Sequence, residues 1–338
     1  MPETPADLVN RIKASGVVTD DDVLALRQAM WPDGRISEAE ADDLFAINDA
    51  CPNRTPSWAD FFVEAVAHFL VHQTPPIGWV NDANAAWLMR RIDREGRIDT
   101  FATLLLLVKV LESASNVPDS LKSYAIAQIE AVVTSGSGPT RVGEGIDPGR
   151  INATEVALLR RIIFAGASDG GTIISQAEAE MLFRIKDATL GQPNAPEWRA
   201  LFVQAVGNHL MAHPIYHQVD IGRAAADERF LAETHVHTGA FMSRMGQSVT
   251  HPGWSGLWKT LTGGGAADQA RASAAFEASV AADRTITDAE AAELRAEMLA
   301  DGKIDEMEQA LLAFIARESG KLPPVLEALL HSGATKNN

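Results

Sequence analysis

The chain repeats itself, and this repetition limits its possible folds more than any single motif does. The stretch ISEAEADDLFAINDA at residues 36–50 matches ISQAEAEMLFRIKDA at 174–188, and WADFFVEAVAHFL from Trp58 matches WRALFVQAVGNHL from Trp198. Copies of one sequence share one local structure, so two similar halves are expected. A shorter unit recurs within them at residues 18–36, 80–98 and 286–304, and a version with a longer turn spans 151–174.

Each unit reads as helix, tight turn, helix. In the first, Val23, Leu26 and Met30 fall at helical spacing before Asp33-Gly34 breaks the run and Ile36 begins the next element. Thr19 with Asp22, Asn152 with Glu155 and Thr287 with Glu290 have the N-cap and N3 spacing of a helix start, as do Ser37 with Glu40, Ser175 with Glu178 and Asp305 with Glu308. The segments opening at Trp58 and Trp198 add an amphipathic helix, with Phe62, Val66, Phe69 and Leu70 on one face. Strand-like alternation is scarce. The expected fold is therefore all-α: two duplicated helical-bundle halves, residues 1–134 and 151–338, joined by a Gly/Ser/Pro-rich linker at 135–150. The second half carries a mostly helical insertion at about 217–283 that the first half lacks, including the turn-rich tract HPGWSGLWKTLTGGG.

With 338 residues, 46% of them hydrophobic, such halves can bury proper cores. The longest apolar stretch, around Leu104 to Val108, is broken by Lys109, so no membrane insertion is expected. One cysteine, Cys51, excludes an intramolecular disulfide framework, and the opening residues hold no apolar leader core; a reducing cytoplasm is the expected compartment. The net charge of −16 argues against nucleic acid and for basic protein partners or cations.

The chemistry such turns can carry is cation binding. The D-G-x-I-x3-E pattern resembles the middle and end of an EF-hand loop, in which glycine allows the sharp turn and a late glutamate supplies a bidentate carboxylate. The fourth unit fits best, with Glu297, Asp301, Asp305 and Glu308 at positions 1, 5, 9 and 12. The third offers Asp169 and Glu178, and the first Asp33 and Glu40, although Ala29 and Trp31 fill its early ligand positions. In the second, Ala102 stands where the last glutamate belongs, and Asp93 and Glu95 alone remain. The same residues serve equally as turn formers and helix caps, which leaves a metal-free role open.

The segment ADGKIDEME at 300–308, with its flanking helices, resembles the signature of TerB-like tellurite-resistance domains and is similar to DjlA-type co-chaperone N-terminal domains. That resemblance implies an all-helical fold and a divalent cation, calcium or magnesium, on Asp301 and Glu308 and by extension on Asp33, Glu40, Asp169 and Glu178. The layout of the whole chain also resembles that of duplicated bacterial proteins.

Histidines offer a second chemistry. Asp60, Glu64, His68 and His72 recur every four residues on one helix face, a spacing that suits a transition metal, yet the aligned positions in the other half are Ala200, Gln204, Asn208 and Ala212. A polar face opposite the apolar stripe explains the set without metal. His209, His213 and His217 share the spacing, interrupted by Pro214, and His235 and His237 lie close together in the insertion. There is no G-x-S-x-G elbow, no Walker-type loop, no G-x-G-x-x-G and no H-E-x-x-H. The expectation is a non-catalytic protein with weak divalent-cation sites in its acidic turns, coupled to an unknown protein partner. The alternatives are a metal-independent helical scaffold that docks a partner through the insertion, and a histidine-based metalloenzyme.

Overall fold

The computed structural model describes residues 4–32, 34–141, 147–165, 174–211, 286, 288–300, 302–319 and 322–334. The fold is all-α, with thirteen α-helices among these residues and one two-residue parallel ribbon, in which Val17–Val18 pairs with Asn53–Arg54. The helices are α1 (Pro5–Ser15), α2 (Asp20–Met30), α3 (Glu38–Ala50), α4 (Pro56–His68), α5 (Asp82–Ile92), α6 (Phe101–Ser113), α7 (Asp119–Ser135), α8 (Ala153–Ile163), α9 (Gln176–Ala188), α10 (Glu197–Met211), α11 (Asp288–Met298), α12 (Glu306–Ser319) and α13 (Pro324–Ala334). No helix of the described residues is long and apolar enough to cross a membrane.

The helices begin where the sequence supplies caps. Thr19 and Asp22, Ser37 and Glu40, Asn152 and Glu155, and Ser175 and Glu178 all form reciprocal capping boxes, each pair satisfying two backbone N–H groups that a helix start leaves without partners. Thr287 lies outside the described residues. In the second unit, the turn after α5 is a tight hairpin in which Arg94 and Arg97 exchange backbone hydrogen bonds; Glu95 and Gly96 both adopt left-handed backbone, at φ 56° and 86°.

Packing follows the apolar stripes. Val23, Leu26 and Met30 are buried, as are Phe62, Val66 and Leu70, while Phe69 is partly buried and opens a single π-helical turn, Phe69–Gln73, that continues α4. Trp58 and Trp198 are fully buried anchors, and each indole N–H has a partner: Asn48 Oδ1 at 3.3 Å for the first, Thr189 Oγ1 at 3.1 Å for the second. Fully burying one such side chain stabilises by roughly 1.5–3 kcal/mol. The run Leu104 to Val108 is buried on every side because α6 lies between α4 and α8.

Helix α7 touches α5 and α6 on one side and α8 and α9 on the other, so one continuous apolar core runs from Leu8 to Leu329. Ion pairs cross the same seam, from Arg161 to Glu112 at 2.6 Å and from Arg184 to Glu130 at 2.8 Å. The described parts of the Gly/Ser/Pro segment after α7, up to 141 and from 147, are tied to each other and to α8. Arg141 lies buried within this segment, donating to Glu155 Oε1 at 2.7 Å and to the carbonyl oxygens of Asp147 and Arg150.

Candidate functional site

The recurring N3 carboxylate has two oxygens and a consistent use for both. One accepts from the N-cap backbone, as in Thr19 N–H to Asp22 Oδ2 at 3.0 Å and Asn152 N–H to Glu155 Oε2 at 2.9 Å. The other faces a cationic side chain from a different element: Arg11 for Asp22 at 2.9 Å, Arg141 for Glu155 at 2.7 Å and Lys122 for Glu178 at 3.6 Å. Glu40 keeps the backbone half only; its carboxylate caps Ser37 at the surface. For Asp22 burial works against ionisation, but hydrogen bonds from Thr19 and the Arg11 guanidinium outweigh it and hold the carboxyl below its ordinary range.

The fourth unit follows the same plan with more charge. Asp305 and Glu308 form a reciprocal cap at the start of α12, Glu308 Oε2 accepting from Asp305 N–H at 2.9 Å and Asp305 Oδ1 from Glu308 N–H at 2.9 Å. Their remaining oxygens converge on Lys186 of α9, whose Nζ donates to Asp305 Oδ2 at 2.6 Å and to Glu308 Oε1 at 2.7 Å, and pairs with Asp187 at 2.7 Å. Burial disfavours the ammonium, yet these three carboxylates outweigh it and raise the lysine pKa. Burial also pushes the Glu308 carboxyl above its ordinary value, since one ammonium shared among three acids only partly offsets the loss of water. Two of the carboxylates in the EF-hand-like reading, Asp305 and Glu308, thus face an ammonium.

Glu297, the first ligand in that reading, lines a different feature, described below. Asp33, Asp169 and Asp301 lie outside the described residues. In the second unit Asp93 is taken up locally, by Gly96 N–H at 3.0 Å and Tyr124 O–H at 2.8 Å. Among the described residues, no three His, Cys, Asp or Glu side chains converge as a metal-holding group.

That holds for the four-residue series on α4 too. His68 sits half-buried against Trp31, with ring centroids 5.5 Å apart, and His72 follows at 5.3 Å from His68. Burial, and for His68 also the neighbouring His72, keeps both imidazoles below their ordinary pKa, so they are neutral near pH 7. Glu64 instead faces Lys109 at 3.8 Å. His209 hydrogen-bonds the Ile174 carbonyl oxygen through Nδ1, whereas His213, His217, His235 and His237 fall outside the described residues.

A groove of about 490 Å³ opens between α9, α10 and α11. Phe183, Leu210 and Leu294 line its apolar part, and Glu180, Glu293 and Glu297 line its acidic part. The aligned place in the first half is filled. There Trp87 of α5 packs on Phe45 and Phe69, with centroids 6.0 and 5.5 Å apart, and its indole N–H donates to Glu38 at 2.8 Å. One helical turn on, Arg91 stacks 3.8 Å above the Trp87 ring and pairs with Asp42 at 2.6 Å. In the aligned sequence Phe45 corresponds to Phe183 and Asp42 to Glu180, but Phe69 corresponds to His209, Glu38 to Gln176, Trp87 to Glu293 and Arg91 to Glu297. The repeat motif does not single out this groove. The signal that reveals it is the exchange of an aromatic–cation pair for two acids between the aligned sequences of α5 and α11.

Compared with protein-family models, with curated proteins and with solved structures, the chain matches none, so the TerB-like resemblance rests on its turn residues alone.

Proposed function

We propose that the protein is a non-catalytic, metal-independent helical scaffold that works through protein–protein contacts. The observation that carries this reading is Lys186, whose ammonium lies 2.6 and 2.7 Å from the two carboxylates best suited to a cation. A lysine so placed supplies the positive charge that an acidic turn requires, and joins α9 to α12 in doing so. The same logic extends to Asp22, Glu155 and Glu178, each with a basic residue drawn from another element. The repeated acids then serve to cap helices and tie them together.

The test is thermal unfolding, followed by tryptophan fluorescence, in excess chelator and then in millimolar calcium, magnesium, manganese or zinc. An ion that binds only the native state raises the midpoint according to its concentration over its Kd. The scaffold reading expects the same midpoint in chelator and in every ion. A rise of several degrees with one ion overturns it in favour of cation binding.

One observation favours that second reading. Glu178 Oε1 is buried without a hydrogen bond, and Lys122 Nζ stands 3.6 Å away, beyond hydrogen-bonding distance. If calcium or magnesium binds Glu178, Glu178→Gln abolishes the ion-dependent rise, whereas Glu40→Gln leaves it intact.

A further inference from the structure

We propose that the groove between α9, α10 and α11 docks a basic helical segment of a partner protein that presents an aromatic residue and, four residues later, an arginine. This rests on the scaffold reading and names the chemistry of its partner.

The chain itself contains the template for the occupant. On α5, Trp87 and Arg91 lie one turn apart on one face, where the ring covers Phe45 and Phe69 and the guanidinium covers the ring and pairs with Asp42. In the second half two of the receiving residues persist, Phe45 as Phe183 and Asp42 as Glu180, while Phe69 aligns with His209 and Glu38 with Gln176, and the filling side has become Glu293 and Glu297. Two glutamates cannot fill the volume of a Trp and an Arg, and their charge has the same sign as Glu180. Glu293 and Glu297 are also neighbours at i and i+4 on α11, where like charges destabilise an isolated helix. An apolar cleft edged by acids on a surface of net charge −16 is complementary to an incoming aromatic residue and cation. A helix supplies both from one face, which is the helix-in-groove mode of recognition.

The experiment uses the full chain, held in chelator throughout. The probe is a fluorescein-labelled, lysine-rich helical peptide of about 20 residues carrying Trp and Arg at i and i+4, followed by fluorescence anisotropy. The expected result is saturable binding that weakens at least about tenfold when Trp and Arg are replaced by Ala, and again with Glu293→Lys plus Glu297→Lys in the protein. The variant Glu293→Trp plus Glu297→Arg, which restores the Trp and Arg of the aligned helix α5, is expected to melt higher than wild type and to bind no peptide.

Absence of saturable binding to wild type overturns the proposal, as does equal binding by wild type and the two-lysine variant. The two-lysine variant also separates a partner from the chain's own segment 212–285 as occupant. Relief of like-charge repulsion leaves its melting temperature unchanged or higher, whereas a drop of several degrees together with no peptide binding to wild type means the chain fills its own groove. Because peptide and ion titrations are separate, an ion-induced rise in melting defeats the scaffold reading without touching the binding result.

Discussion

Lys186→Met removes one ammonium and leaves the Asp305 and Glu308 side chains, 10% and 3% exposed, facing each other without a counter-charge. Methionine keeps most of the lysine stem, so the loss is electrostatic rather than a cavity. Removing one partner of a buried ion pair destabilises by about 3–5 kcal/mol, because the remaining charge has given up water and receives nothing in return. The assay is urea unfolding, followed by tryptophan fluorescence in chelator, of wild type, Lys186→Met, Glu308→Gln and the double variant. Glutamine at position 308 still accepts from Asp305 N–H, so the cap survives and the cycle isolates the charge pair. The expected coupling is about 1–3 kcal/mol, with the double variant more stable than additivity allows. Acid sharpens the test. Burial raises the Glu308 carboxyl and Lys186 opposes that rise, so loss of the ammonium raises it further; the variant takes up the proton at higher pH than wild type, and the Lys186→Met deficit shrinks as pH falls. A loss below about 1 kcal/mol, or strict additivity, refutes the assignment of Lys186 as the internal cation.

Other perturbations read other parts of the fold. Arg141→Met strips a guanidinium 2% exposed from a carboxylate 0% exposed, and is expected to lower stability by about 3–5 kcal/mol in urea unfolding. Glu40→Ala, which loses only a surface capping box, is expected to lower stability by about 1 kcal/mol in the same assay, equally in chelator and in calcium. Gly207→Ala places a methyl group 2.5 Å from the Phe314 ring where α10 meets α12, and the repacking is expected to lower stability by about 1–3 kcal/mol, although Ala67 is accommodated at the aligned position of α4. His68 has a folded pKa below 6.5, so the native state binds fewer protons there and stability falls as pH drops below about 6.5; His68→Asn, which copies Asn208, is expected to flatten the Tm profile between pH 7.5 and 5.5.

Local chemistry was the legible part of this protein. Helix starts at Thr19, Ser37, Asn152 and Ser175 depend on a cap and a carboxylate three residues apart, and both partners sit within one turn of chain. The buried stripe of Val23, Leu26 and Met30 and the anchors Trp58 and Trp198 follow from periodicity, which needs no knowledge of the neighbour. The roles of Asp305 and Glu308 were only half legible: spacing reveals the cap, but the cation they face comes from Lys186, more than a hundred residues away in the chain. A carboxylate looks the same in sequence whether a metal, a lysine or water balances its charge.

The same division separates the two aligned clefts. Capping signals and apolar periodicity determine where the helices begin and which faces they bury, because hydrogen bonding, capping and apolar spacing act within a few residues. Which cleft is closed depends on what three helices bring together. Trp87 and Arg91 form a plug only because α3 and the π-helical turn after α4 present Glu38, Asp42, Phe45 and Phe69 to them, and Glu293 and Glu297 line a groove only because α9 and α10 meet α11 there. Burial and charge pairing are properties of the assembled surfaces, so the tertiary arrangement gives one pair of substitutions its meaning as a filled core and the other its meaning as an open acidic cleft.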